Sequence, residues 1–418
     1  MDFFRFLMSD VLSEPAVLVG LIALIGLIAQ KKPVTECIKG TVKTIMGFVI
    51  LGAGASLVVS SLGDFANIFQ HAFGIQGVVP NNEAIVSVAQ KSFGKEMAMI
   101  MFFAMVINIM IARFTPWKFI FLTGHHTLFM SMMVAVILAT AGMTGITLIA
   151  VGSLVVGVAM VFFPAIAHPY MKKVTGSDDV AIGHFSTLSY VLAGFIGSKF
   201  GNKDHSTEDM NVPKSLLFLR DTPVAISFTM SIIFLVTCLF ARADVVKELS
   251  GGKNWFMFSI MQSITFAAGV YIILQGVRMV IAEIVPAFKG ISDKLVPNAR
   301  PALDSRVVFP YAPNAILVGF LSSFAAGLIG MFTLYLLNMI VIIPGMVPHF
   351  FVGATAGVFG NATGGRRGAI LGAFAQGLPI TFPPVFLLPV LDDIGFANTT
   401  SSDADFGVLG ILLGIIVR

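Results

Sequence analysis

Residues 119–171 decide the fold; they read FIFLTGHHTLFMSMMVAVILATAGMTGITLIAVGSLVVGVAMVFFPAIAHPYM. No Asp, Glu, Lys or Arg lies between Lys118 and Lys172, and a second run without such charges separates Arg306 from Arg366. A bilayer span needs about 20 apolar residues, so each run is long enough for more than one crossing. Soluble cores do not need such runs, and the sequence therefore predicts an α-helical membrane protein.

The composition supports the same class over the whole chain. Of 418 residues, 56% are hydrophobic and 11% are charged, whereas about 25% of the residues in a soluble domain are charged. The length leaves room for about ten or eleven transmembrane helices. Membrane helices also tolerate the many glycines and prolines, because neighbouring helices re-satisfy the backbone. We predict an all-α polytopic membrane protein, with residues 1–418 forming one membrane domain.

Several functional classes find no support in the sequence. The net charge is +4, and no basic stripe with interleaved aromatic residues indicates a nucleic-acid partner. Cys37 and Cys238 stand far apart without metal-ligand spacing, so we predict neither a disulfide framework nor a metal site. No Walker A, nucleophile-elbow or zinc-protease motif is present. We therefore predict no cofactor, and the energy for any transport must come from an ion gradient or a partner.

Breaks in the apolar windows predict where helices end. Met143 to Gly145 is typical of the turn in a helical hairpin, and Ile343-Pro344-Gly345 is the clearest break in the second long run. Arg366-Arg367 follows two glycines and predicts a turn with interfacial arginines. Nine windows without charge are candidate spans, with the second expected to end before Asp64: residues 15–30, 44–63, 97–112, 119–171, 222–241, 254–277, 307–365, 368–391 and 406–417.

The basic residues predict the orientation. Lys31, Lys32, Lys39 and Lys43 follow the first window, and the positive-inside rule places them in the cytoplasm. Counting crossings from there puts Lys172 on the same side. The polar stretch 201–221 reads as a cytoplasmic loop that joins two halves, residues 15–200 and 222–418.

The two halves share a weak pattern. Ile50-Leu51 is followed by Phe65 and Ile68, and Ile273-Leu274 is followed at the same spacing by Phe288 and Ile291. Downstream, Pro80-Asn81-Asn82-Glu83 parallels Pro297-Asn298 with Asp304 beyond it. Duplicated halves with broken helices are typical of transporters whose binding site lies at the bilayer midplane. Chance similarity between Leu-, Phe- and Ile-rich segments is the alternative.

Titratable residues inside apolar segments are candidates for the site, because they are costly there. Glu83 follows a proline-led helix start and either faces a ligand or complements the helix dipole. His125 is the favoured hydrogen-bonding partner of a substrate over His126, since adjacent side chains on a helix point about 100° apart. His184 follows a glycine and is either a site residue or an interfacial anchor.

Asp304 and the pair Arg278 and Glu283 each have a structural role as an alternative to a role in the site. Asp304 either forms an ion pair with Arg300 or Arg306 or accepts a proton from a substrate hydroxyl. Arg278 and Glu283 are interpreted as helix-end anchors near the cytoplasmic face.

Five short motifs, together and in order, resemble the membrane-embedded EIIC component of the bacterial ascorbate-type phosphotransferase system (PTS). The likeness runs from Lys39 to at least Phe359. The motifs are Thr123-Gly124-His125-His126, Ile182-Gly183-His184, Gln275-Gly276-Val277-Arg278-Met279, Ala302-Leu303-Asp304 and Ala312-Pro313-Asn314-Ala315.

This resemblance implies a homodimer in the bacterial inner membrane, with a scaffold domain, a mobile core domain, inverted repeats with re-entrant helices, and an elevator-type movement. It implies that EIIC binds a sugar acid and carries it inward. A separate EIIB protein, phosphorylated on cysteine through EIIA, then phosphorylates the sugar. No stretch of the sequence resembles a fused EIIA or EIIB.

Carried over position by position, the resemblance implies ten substrate-binding residues, with Asp304 also an orienting base: Asn82, Glu83, His125, His126, Thr127, Leu128, Phe129, His184, Phe185 and Asp304. The ascorbate transporters have glutamines in place of Phe129 and Phe185, and a Thr-Tyr pair in place of Asn82-Glu83. Ascorbate stays the favoured substrate, although the loss of two amides and the gain of an acid also suit a neutral polyol or pentose.

Two other functions compete with group translocation. An ion-coupled secondary transporter of a small polyol or sugar acid would use Glu83 and Asp304 to bind a proton or sodium. A membrane scaffold or channel would not need the histidines and acids at all.

Overall fold

The computed structural model describes residues 15–210, 218, 221–391 and 399–417. Within these ranges the chain is mostly helical, with five very short strands and no closed sheet. The helices are α1 Pro15–Ala29, α2 Val34–Phe73, α3 Asn82–Phe114, α4 Gly124–Thr140, α5 Gly145–Thr175, α6 Thr187–Phe200, α7 Thr222–Phe240, α8 Ala243–Leu249, α9 Trp255–Leu295, α10 Pro313–Leu336, α11 Met346–Gly377, α12 Pro383–Leu391 and α13 Ala404–Val417. The strands are β1 Gly77–Val78, β2 Phe119–Phe121, β3 Ala181–Ile182, β4 Arg300–Leu303 and β5 Val341–Ile342.

Six of the described helices are long and apolar enough to cross a membrane, namely α2, α3, α5, α7, α9 and α10. Three shorter apolar helices, α1, α4 and α13, accompany them. The prediction of a multi-pass helical membrane protein is confirmed. The total of ten or eleven spans stays a prediction.

The two longest helices, α2 and α9, pack against each other in opposite directions. Gly47 of α2 lies against Gly276 and Met279 of α9, whereas Gly54, further along α2, lies against Gly269. A Cβ atom at Gly47 would lie 2.6 Å from the Met279 Cβ and 2.7 Å from the Gly276 carbonyl oxygen. Small residues therefore allow the two backbones to approach closely, as is typical of helix pairs in membranes.

The predicted breaks between helices are confirmed. Gly142 and Gly145, with φ of 84° and 57°, form the turn between α4 and α5. Residues 343–345 separate β5 from α11. Within α11 the helical geometry is interrupted at Gly364 and at Gly365, where φ is 59°. The chain reverses there, since Gly360 before the turn touches Gly368 after it, and the next two residues, both arginines, are exposed.

Two predicted boundaries are wrong. The second span does not end before Asp64, because α2 continues to Phe73 and the Asp64 carboxylate accepts a hydrogen bond from Gln262 Nε2 at 2.7 Å. The span predicted at 97–112 is present but begins earlier, because α3 is continuous from Asn82 to Phe114. The charges that suggested a boundary, Lys91 among them, lie on the exposed face of an unbroken helix.

The strands form two small parallel sheets that hold the helix breaks together. Strand β1 pairs with β5, and the second sheet has the order β2-β4-β3. Asn108 of α3 fixes the edge of β2, because its amide donates to the Phe119 carbonyl oxygen at 2.9 Å and accepts from the Phe121 N–H at 3.0 Å. These strands bring three helix starts, at Asn82, Gly124 and Thr187, to one region of the bundle.

Candidate substrate site

A cavity lies where these helix starts meet, and most of the candidate residues line it. Its walls are formed by the starts of α3, α4 and α11, by the segments before α6 and α13, by the segment after β4, and by Leu274 of α9. The lining residues are Asn82, Glu83, His125, His126, Phe129, His184, Leu274, Asp304, Ser305, Arg306, Val347, Pro348, Phe351, Ser402 and Asp403.

The start of α3 is tied to the segment before α13. Asn81 caps α3 by accepting the Ala84 N–H at 2.7 Å, as its sequence position suggests. The neighbouring Asn82 side chain donates to the Asp403 carboxylate and accepts the Ser402 N–H at 3.0 Å. Glu83 therefore lies at the start of α3, next to Asn82, whose side chain is held by Ser402 and Asp403 from the far end of the chain.

The start of α4 presents His125 and His126 together. Both line the cavity, although adjacent side chains on a helix point about 100° apart. The reason is that His126 is buried at the first turn and meets the chain crossing in front of α4. Its Nδ1 accepts the Phe185 N–H at 3.3 Å, and its ring centroid lies 3.8 Å from that of His184.

His184 is positioned by the segment between β3 and α6. The Gly183 N–H donates to the Leu303 carbonyl oxygen at 2.8 Å, and a Cβ at Gly183 would lie 2.5 Å from the Ala302 carbonyl oxygen. Only glycine allows this approach. The His184 Nδ1 then forms a 2.8 Å hydrogen bond with the hydroxyl of the fully buried Tyr190. This contact leaves the His184 Nε2 facing the cavity.

Asp304 joins the two histidines. It follows β4, and its Oδ1 lies 4.0 Å from His125 Nε2 and 3.9 Å from His184 Nε2. Its Oδ2 lies 3.4 Å from Arg306 Nε, so of the two ion pairs that the sequence offered, the structure forms the one with Arg306. Arg300 instead binds Asp178. A ligand oxygen placed among these groups meets both donors and an acceptor.

Three of the ten candidates do not reach this cavity. The Thr127 hydroxyl donates to the Thr123 carbonyl oxygen at 3.3 Å, within the first turn of α4. Leu128 is fully buried in the apolar core. Phe185 is also fully buried and stacks on Phe121, with ring centroids 4.7 Å apart. We therefore leave these side chains out of the proposed contact set and assign them to packing behind it.

Several residues that shape the site were missed by the sequence analysis. Asp403 lines the cavity and accepts from Ser186 Oγ at 2.6 Å as well as from Asn82. Tyr190 orients His184 from behind. Asp403 does carry a local signal, because it lies beside the start of an apolar helix, as Glu83 does. The reasoning that selected Glu83, applied to residues 403–405, also selects Asp403.

Arg278 is not a helix-end anchor. It lines a second cavity beside the first, together with His125, Asp304 and Arg306. It lies well inside α9, which continues to Leu295. The interpretation of Arg278 from the sequence is therefore wrong, because α9 extends far beyond the end of its uncharged window.

Asp178 binds two cationic side chains and one imidazole. Lys172 Nζ, His168 Nε2 and Arg300 Nη2 lie 2.9, 2.6 and 2.5 Å from its carboxylate. Hydrogen bonds from Lys172, from His168 and from Arg300 hold the pKa of this carboxyl well below its usual range. Since Arg300 begins β4, this cluster fixes the strand that leads to Asp304.

Among the described residues, no group of three or more His, Cys, Asp or Glu side chains has the arrangement that holds a metal ion. The cavity instead combines imidazole nitrogens, carboxylates, an amide, a guanidinium group and two aromatic side chains, Phe129 and Phe351. Such a set of donors and acceptors on a partly apolar wall is typical of a site for a small polyhydroxylated ligand.

Comparisons with known proteins agree with this description. Residues 10–405 match the family EIIC-GAT, described as the PTS system sugar-specific permease component. A curated relative is the ascorbate-specific PTS system EIIC component of Mycoplasma pneumoniae, 27% identical over 426 aligned residues. The alignment covers 88% of this chain, and the chain spans 64% of the length of that relative.

Proposed function

Because the chain belongs to the EIIC-GAT family of PTS sugar-specific permease components, we propose that it binds a sugar acid, with ascorbate favoured, and carries it across the inner membrane while a separate EIIB protein phosphorylates it. The observation that carries this proposal is the convergence of His125, His184 and Asp304 on one membrane-embedded cavity. The name of the Mycoplasma relative supports ascorbate as the substrate.

The hydrogen-bond geometry supports a role for the histidines as donors. The His126 Nδ1 accepts a backbone N–H, so in a neutral ring the proton is on Nε2. The His184 Nδ1 is occupied by Tyr190. Both outer nitrogens are thus available for the oxygens of a sugar, and Asp304 accepts from a hydroxyl between them. Deprotonated ascorbate carries one negative charge, which His125, His184 and Arg306 face from one side.

Asp304 has a second role in this proposal. Its carboxylate orients the hydroxyl that is presented to the phosphocysteine of EIIB and takes up its proton as the new bond forms. Glu83, which lines the same cavity, selects the ligand. A ligand with more hydroxyl groups and no charge fits beside Glu83 better than an anion does, so neutral pentitols and pentoses are the competitors of ascorbate to be tested.

The larger architecture belongs to the same proposal. We propose two inverted repeats, a scaffold domain, a core domain that moves as an elevator, and a homodimer. The strand pairing supports the repeats: β1 of the first half pairs with β5 of the second, and β4 of the second half pairs with β2 of the first. Each pairing therefore joins a strand of the first half to a strand of the second half.

Binding tests the proposal first. We expect radiolabelled L-ascorbate to bind the purified chain in lipid nanodiscs and to be displaced by excess unlabelled ascorbate. His184→Ala and Asp304→Asn should each weaken binding at least about tenfold, since each removes a hydrogen bond to a charged or polyhydroxylated ligand. His71→Ala is the matched control, because His71 is exposed and hydrogen-bonds only within α2. Saturable binding of a pentitol without binding of ascorbate would identify the pentitol as the substrate and contradict the assignment of ascorbate.

Transport separates group translocation from ion coupling. In vesicles, we expect labelled substrate to appear inside only as a phosphate ester, and only when phosphorylated EIIB is supplied through EIIA. Uptake of unmodified substrate driven by a proton or sodium gradient, with no phosphoryl donor, would contradict the proposal and favour the ion-coupled transporter.

A further inference from the structure

The second cavity, which we call the arginine vestibule, opens directly from the substrate site. His125, Leu274, Asp304 and Arg306 line both spaces. On the side away from Glu83, the vestibule is completed by Arg278 and by apolar side chains of α9. A molecule in the substrate site therefore has two guanidinium groups in the adjoining space.

These two guanidinium groups are under-compensated. Among the described residues, Arg278 has no acidic side chain within 4.0 Å and no hydrogen-bond acceptor. Arg306 approaches Asp304 only through Nε at 3.4 Å, and its guanidinium carbon lies 5.0 Å from the centre of the Phe351 ring. Neither Nη atom of Arg306 donates to a described residue. Both arginine side chains are exposed within this open cavity, Arg306 to 49%, so their unused donors are accessible to an anion that enters it.

The vestibule lies toward one particular end of the bundle. Gly276 and Met279 of α9 contact Gly47 of α2, and α2 begins just after Lys31 and Lys32. Arg278 therefore lies close to the middle of α9, on the half that runs toward the lysine-rich end. By the positive-inside rule this end faces the cytoplasm, from which a phosphorylated protein partner approaches.

We infer that Arg278 and Arg306 form a subsite for the phosphoryl group during its transfer to the substrate and for the resulting phosphate ester. The inference rests on the proposed function. Guanidinium groups bind phosphate oxygens through paired N–H donors, which suits a dianionic group better than a sugar. In the transfer, the S–P bond of the EIIB phosphocysteine breaks and the thiolate leaves with the bonding electrons. An O–P bond to the substrate hydroxyl forms, and the hydroxyl proton moves to Asp304.

The first test uses inorganic phosphate, so it does not depend on the identity of the sugar. We expect phosphate to raise the thermal unfolding temperature of the purified chain in a saturable way. Arg278→Gln and Arg306→Gln should each weaken this apparent affinity at least about tenfold, while Arg278→Lys should lose less because it keeps the charge without the paired donors. Arg242→Gln is the control, since Arg242 is exposed and paired with Asp244 at 2.8 Å; its response to phosphate should equal that of the wild type.

A second measurement detects phosphate binding without using thermal unfolding, so that it can be applied to a variant of lowered stability. Line broadening in the phosphorus NMR spectrum of inorganic phosphate reports binding directly. It should be lost in Arg278→Gln and in Arg306→Gln but kept in Arg242→Gln. Equal responses in all four proteins, or no response in the wild type, would overturn the inference while leaving ascorbate binding as evidence for the proposed function.

The lipid composition of the nanodisc tests whether the arginines bind free phosphate or the phosphate of lipid headgroups. Nanodiscs of phosphatidylcholine and of phosphatidylglycerol should give the same stabilisation by free phosphate. If stabilisation requires phosphatidylglycerol and free phosphate has no effect, the arginines bind lipid headgroups and the transfer subsite is overturned.

Discussion

The carboxylate of Asp405 accepts the backbone N–H of Thr187 at 2.8 Å, so the start of α6 is capped by a residue from the far end of the chain. The other carboxylate oxygen accepts the Leu188 N–H at 2.9 Å. Both residues of the first contact are fully buried. Since His184 lies just before this helix start, the cap and the substrate site depend on each other.

Removal of this cap should destabilise the protein and disturb the site. In Asp405→Ala the buried Thr187 N–H and the partly buried Leu188 N–H lose their acceptors, at a cost of about 1–3 kcal/mol for a buried group. We expect a lower thermal unfolding temperature together with weaker substrate binding. Asp405→Asn keeps one acceptor and should lose less of both. An unchanged binding constant in a destabilised Asp405→Ala protein would show that the cap does not position His184.

Loss of the Tyr190 hydroxyl should weaken substrate binding with little effect on the apolar core. Tyr190→Phe removes the 2.8 Å bond to His184 Nδ1 together with the hydrogen bond between the Tyr190 hydroxyl and the Thr355 side chain. One neutral hydrogen bond contributes about 1 kcal/mol, so we expect about a fivefold increase in the dissociation constant. Tyr335→Phe is the control, because Tyr335 is partly exposed at the end of α10, away from the site. Equal affinities for both variants would contradict the orienting role.

A methyl group at the contact of α2 with α9 should be poorly tolerated. Gly47→Ala places a Cβ 2.6 Å from that of Met279 and 2.7 Å from the backbone oxygen of Gly276, so the helices must separate. We expect a loss of about 1–3 kcal/mol, the usual cost of overpacking. Gly63→Ala, on the same helix with nothing within 4 Å of the added carbon, should be neutral or stabilising. Thermal unfolding of the two variants in parallel tests the contact.

The Asp178 cluster should support stability without pH dependence in the neutral range. The pKa of this carboxyl is lowered in the folded state, so its contribution is fully present above its unfolded value of 3.8 and is lost as the pH falls toward the folded value. We expect Asp178→Asn to be less stable than the wild type by a constant amount from pH 5 to 8 and by a shrinking amount below about pH 4. Asp179→Asn, whose carboxylate accepts from Ser177 Oγ at 2.8 Å, is the control. A difference that changes between pH 6 and 8 would contradict this account.

Much of the fold follows from local sequence signals. Charges are rare in apolar runs, so the long windows, the hairpin turn at 143–145 and the polar residues His125, His184 and Asp304 stand out. The strands do not stand out, because segments of two to four residues are too short to show alternation of polar and apolar side chains. Their pairing is also non-local: β1 and β5 are separated by most of the chain.

Two of the residues that sequence analysis missed or misjudged, Asp403 and Arg278, owe their place in the site to structure beyond their local sequence, although Asp403 also carries a local signal. Asp403 meets Asn82 across more than three hundred residues, and its own surroundings, Thr399 to Ser402, look like an ordinary polar loop. Arg278 was misjudged because its distance from the end of α9 is visible only once the helix is seen to continue to Leu295. Three-dimensional proximity, rather than residue type, defines these groups.

The interleaved strands have a consequence for biosynthesis. Strands β2 and β3 lie on either side of β4, which is synthesised more than one hundred residues after β3. Until Arg300–Leu303 leaves the ribosome, the backbone groups of both strands lack the partners that β4 provides, and unpaired buried N–H and C=O groups are costly. The first half of the nascent chain therefore cannot complete its fold, and the insertion machinery must keep it accessible until the second half arrives.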